Sequence, residues 1–168
     1  MAYWALLVDA DRYAAERLYH HDTFDLTEPL TPGDEVLLVA DVEPPVLFGT
    51  GTVRATGVLA YTRRVFDAPL ATGELALDGV VTAMAEPAFR ALTRQLPPPA
   101  DRREWLVSVD LPIEAESPAE AVRHFWTYVS QLGPTELPAF VSPANNELAM
   151  QAYVLGEETN LDPEEDED

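Results

Sequence analysis

The chain has no cysteine, which removes disulfides, thiol catalysis and thiolate metal sites together. It has no lysine either, so all ten basic residues are arginine, against thirty acids. No apolar run approaches the length of a membrane span, and the start Met1-Ala-Tyr-Trp4 lacks the pattern of a signal peptide, so a cytoplasmic location is expected. Catalytic signatures are missing as well. In Gly49-Thr-Gly-Thr-Val-Arg54 an arginine stands where a dinucleotide loop has its third glycine, and no helix opens there. Ser142 lacks the glycines of a nucleophile elbow, and no Ser, His and Asp are placed as a triad. No catalytic residue, metal or cofactor is expected.

What is present is acid, unevenly spread. The net charge is −20 over 168 residues. Residues 1–100 hold fourteen acids and seven arginines, net −7, and residues 101–168 hold sixteen acids and three arginines, net −13. Eight acids and no base lie in Glu157–Asp168, which reads as a disordered acidic tail. Such a field opposes a phosphate backbone, so nonspecific nucleic-acid binding is not expected. One segment departs from it: Pro44–Phe66 has no acid but carries Arg54, Arg63 and Arg64.

The clearest fold unit is Glu104–Gly156. Glu104–Leu111 reads as a strand. Ser117, Pro118 and Glu120 make a capping box opening a helix to about Leu132, with Gly133-Pro134 ending it. Val122, Phe125, Trp126, Val129 and Leu132 form one apolar stripe, expected to cover the sheet as core. Leu137–Val141 and Leu148–Leu155 read as two more strands around a turn. In the first half, Ala2–Val8 reads as a strand and Asp9 or Asp11 as the cap of a helix to about Tyr19, with Tyr13, Ala14, Arg17 and Leu18 spaced along it. Strands follow after Pro32-Gly33, over Val46–Ala55 and over Val58–Phe66. Glycines 49 and 51 imply a bulge or a close backbone approach. Glu86-Pro87 opens a helix to about Leu96, and Pro97-Pro-Pro99 makes a stiff connector. The expected fold class is α+β: a small curved sheet with helices over 1–96, a connector over 97–101, a β-α-β-β domain over 102–156, and the tail over 157–168.

Tyr3-Trp-Ala-Leu-Leu-Val8, the helix after it, Pro32-Gly-Asp-Glu-Val-Leu-Leu38 and Leu47-Phe-Gly-Thr-Gly-Thr-Val53 resemble the PUA-like superfamily, and within it EVE and ASCH-type domains. The resemblance covers residues 1–96. It implies a pseudo-barrel whose concave site receives a nucleobase, nucleotide, modified base or other small planar ligand, with Trp4 carried across from the family pattern.

Tyr61 and Phe66 stand among the arginines of the acid-free segment, the mixture a base-stacking site needs. The candidate ligand-binding residues are therefore Trp4, Arg54, Tyr61, Arg63 and Arg64. The same arginines could equally be solvated partners of nearby acids. His20, His21 and Asp22 have metal-ligating side chains, but adjacent side chains point apart and no third ligand stands at a supporting spacing. A second function class is an acidic interaction protein, docking on a basic partner in imitation of DNA charge. The oligomeric state is open. Leu148 and Leu155 could face a second copy.

Overall fold

The computed structural model describes residues 1–73, 75–99 and 101–159. The protein is α+β and divides into two units, one within residues 1–100 and one from Asp101 onward.

In the first unit, strand β1 (Tyr3–Val8) leads into helix α1 (Ala10–Tyr19), whose start is fixed by the Asp9 carboxylate accepting from the Arg12 N–H at 2.9 Å. Strands β2 (Thr23–Asp25), β3 (Glu35–Ala40), β4 (Val46–Ala55), β5 (Val58–Arg64), β6 (Leu70–Ala71) and β7 (Val81–Ala83) follow, then helix α2 (Glu86–Thr93). The sheet runs β2-β5-β4-β3-β1-β7, with β6 against β4. Among the described residues only β1 and β3 pair in parallel. The path ends at two edges and does not close into a barrel.

Both faces of the sheet are covered, which is why Val36–Ala40 is an unbroken apolar run instead of an alternating one. Leu6, Val36, Leu38, Phe48 and Leu59 pack on one face with Tyr13 of α1. Leu37, Val39, Leu47 and Val65 pack on the other with Phe89 of α2 and Leu96. The buried side of α1 is Tyr13 and Glu16, not the Arg17 and Leu18 side, for Leu18 is 41% exposed. Gly51 sits at a register shift between β4 and β5. A Cβ there would lie 2.6 Å from the Ala60 carbonyl oxygen and closer still to Leu59, so no side chain fits.

The second unit is β8 (Trp105–Ser108), α3 (Pro118–Leu132), β9 (Ala139–Pro143), a 3₁₀ turn (Glu147–Ala149), β10 (Gln151–Val154) and β11 (Glu157–Glu158). Its sheet is antiparallel throughout, in the order β11-β10-β9-β8. The cap forms: Ser117 Oγ accepts from the Glu120 N–H, and the Glu120 carboxylate reaches back to the Glu116 N–H, one residue before the cap.

Three expectations change here. Leu148–Leu155 is not one strand, because the 3₁₀ turn occupies its start. Glu157 and Glu158 belong to the sheet, because Leu155 and Gly156 take left-handed conformations that turn the chain back onto Tyr153 and Val154. The rest of the acidic tail, from residue 160, lies outside the described residues. Finally, the α3 stripe is not core. Trp126 is 61% exposed and Val122 57%. Among the described residues of this unit only Leu137 and Ser142 are buried. No described helix is long and apolar enough to cross a membrane.

Candidate functional site

The five residues singled out in the first unit do not share one concavity. Arg63 and Arg64 are consecutive in β5, so their side chains leave opposite faces of the sheet. Arg63 Nη1 donates to the carbonyls of Thr93 and Leu96 at 2.9 and 3.0 Å, closing the end of α2. Arg64 Nη1 donates to the carbonyls of His20 and His21 at 2.7 and 2.6 Å, and its Nη2 lies 3.4 Å from the Asp22 carboxylate. The turn it grips follows α1, where His20 takes the left-handed conformation. Trp4 is elsewhere, its indole donating to Asp34 at 3.1 Å. Arg54 is exposed near the end of β4.

Tyr61 and Arg64 do come together. The Arg64 guanidinium lies 5.8 Å from the Tyr61 ring centre. The Tyr61 hydroxyl donates to Glu16 Oε2 at 3.0 Å, and that fully buried carboxylate also has Arg12 Nε at 3.0 Å and His21 Nδ1 at 3.2 Å. Burial, together with the Glu16 negative charge, pushes the Tyr61 phenol well above the usual tyrosine range, so it stays a donor. Beside this network is a hollow of about 360 Å³ lined by His20, Arg64, Val65, Phe66, Asp67 and Ala68. The His20 ring lies tilted against Phe66, with centroids 4.7 Å apart. Among the described residues, no group of three or more His, Asp or Glu side chains is placed to hold one.

Phe66 was legible beside Tyr61 in the acid-free segment, whereas Glu16 and Arg12 were not singled out as members of this cluster. The i, i+4 spacing of Arg12 and Glu16 was the available signal.

The larger cavity is in the second unit. A groove of about 700 Å³ runs between one face of its sheet and the C-terminal end of α3. Trp105, Val107, Val141, Tyr153 and Leu155 supply the sheet side, and Val129 the helix side. Helical spacing places Val122, Trp126, Val129 and Gly133 in one row, so the exposed Val122 and Trp126 continue the apolar wall. Next along the chain to lining residues stand Glu104, Asp110, Glu136 and Glu157, all exposed. The arrangement is an apolar trough in a strongly acidic unit, with no Asp or Glu among its lining residues; alternation along β8 puts Glu104 and Asp110 on the face opposite Trp105 and Val107. Among its described lining residues no nucleophile and base come together, and its volume falls in the range of binding cavities.

Compared with models of known families, with curated proteins and with solved structures, the chain matches none.

Proposed function

We propose that the protein is a non-catalytic interaction module of the cytoplasm, whose second unit holds an apolar segment of a basic partner protein. The observation that supports this reading is an exposed apolar groove in the most acidic part of the chain. Large apolar side chains are ordinarily hidden, and contiguous exposed ones mark interaction surfaces. Here Trp105, Val107, Val122 and Trp126 are each more than half exposed in a stretch of sequence with net charge −13. Apolar anchors flanked by Lys or Arg suit both properties at once, the anchors filling the trough and the cations drawn by the negative field of the unit.

The test is titration of the protein with a helical Leu/Lys peptide and with its Leu/Glu counterpart, read by tryptophan fluorescence. Saturable binding of the Leu/Lys peptide alone, weakened by salt and lost in Val129→Glu, is the expected result. Equal binding of both peptides, or of neither, contradicts it.

A second reading concerns the first unit and the resemblance to PUA-like domains: a small planar ligand or modified base at the hollow beside Arg64. It is supported by the Phe66 and His20 rings and by a fixed guanidinium at the same opening, the pair of features a base would use. Calorimetry with free and methylated nucleobases tests it, and absence of heat at millimolar ligand would remove it.

A further inference from the structure

The outer edge of the second sheet is β8, which pairs with β9 alone among the described residues. Its side chains are exposed on both faces: Trp105 55%, Leu106 49% and Val107 60%. The direction of its backbone groups can be read from the ladder. The Glu104 carbonyl accepts from the Ala144 N–H at 3.2 Å, so it points toward β9. Alternation then turns the N–H and C=O of Leu106 the same way, and those of Trp105 and Val107 outward from the sheet. The register agrees, since Trp105 stands opposite Pro143, which has no N–H to give. Natural sheets blunt such edges with lysines, inward charges or proline. Trp105-Leu-Val-Ser-Val109 contains none of these.

We infer that β8 pairs antiparallel with β8 of a second copy of the chain, giving a two-fold dimer with a continuous eight-stranded sheet. The charges around the strand select a second copy and also select the register. A two-fold axis between antiparallel edges stands perpendicular to the sheet and keeps each face on its own side. Opposed residues must therefore share a face, and the pairing must be centred on a residue. Centred on Leu106, Trp105 faces Val107 of the second copy, their outward N–H and C=O groups bond reciprocally, and Arg102 faces Asp110 of the second copy, twice by symmetry. Centred on Val107, Glu104 faces Asp110 of the second copy, also twice, which repels. Centred on Trp105, no opposite charges meet. The self-complementary register is the Leu106 one, and it buries the exposed edge against its own equivalent.

This inference does not depend on what fills the groove. Val129→Glu, which blocks the groove, leaves the edge unchanged and should leave the dimer intact.

The test is light scattering of the full chain across a dilution series up to about 100 μM. A dimer, twice the chain mass, is expected. Val107→Pro removes an outward N–H that β9 does not use, so circular dichroism should be unchanged while the dimer dissociation constant rises on the order of 30-fold or more, two bonds being lost per dimer. Asp110→Arg alone and Arg102→Asp alone should each weaken the dimer, and an equimolar mixture of the two should restore it as a heterodimer. A monomer at the highest concentration, or a dimer untouched by Val107→Pro, overturns the inference. Failure of the mixture to recover overturns the Leu106-centred register.

Discussion

Arg63 and Arg64 are neighbours in β5, yet they hold different helices: Arg63 donates to Thr93 and Leu96 at the end of α2, and Arg64 to His20 and His21 after α1. Two arginines that look like one positive patch are two clamps on opposite faces of the sheet. Arg63→Ala should destabilise the first unit by about 1–3 kcal/mol, leaving helix-end carbonyls without their charged donor. Arg63→Lys should recover only part, because one ammonium reaches the two carbonyls less well than a fork. Urea denaturation followed by circular dichroism measures both.

The buried Glu16 carboxylate depends on its donors. Tyr61→Phe removes one hydroxyl and should cost about 1–2 kcal/mol. Glu16→Gln should cost more than Tyr61→Phe, because Arg12 and His21 lose a charged partner as well. A double-mutant cycle on the two positions should show coupling of opposite sign to simple addition, the second change costing less once the first is made.

Asp34 carries the clearest pH dependence. Burial by itself raises its pKa, but the Ala2 N–H, the Thr31 hydroxyl and N–H, and the Trp4 indole all donate to its ionised form and outweigh burial, so the folded value lies below the usual carboxylate range. A depressed folded pKa adds stability above the unfolded value, about 3.9, and loses it as pH falls through the folded one. Asp34→Asn should therefore cost about 1–3 kcal/mol at neutral pH, with the gap to the parent protein narrowing below about pH 4. Thermal melts at paired pH values measure the gap. A difference that does not change with pH would contradict the assignment.

Gly51 is set by space. Gly51→Ala should destabilise by about 1–3 kcal/mol through overpacking against Leu59 and the Ala60 carbonyl, whereas Gly79→Ala, with open space around it, should change stability little. Denaturant midpoints of the two variants make the comparison.

The local features were legible in the sequence. The Ser117 and Asp9 caps, Gly133 and the two-sided apolar run of β3 each follow from residues close together along the chain. The short strands β2, β6 and β7 were not legible, because two or three residues carry no periodicity and form only where a long strand offers an edge. The candidate site was half legible. Tyr61 and Arg64 do meet, but the partners that draw Arg63 away are 30 and 33 residues distant. The stripe of α3 was read correctly as apolar and wrongly as core. Spacing along a helix shows that a face is apolar without showing what lies against it.

The central claim is that the apolar trough of the second unit is a binding surface for a basic partner. Hydrogen exchange with and without the Leu/Lys peptide tests it most directly. The account predicts slowed exchange over 105–109, 129–134 and 139–141, with residues 1–96 unchanged. Protection confined to the first unit, or none at saturating peptide, would contradict it.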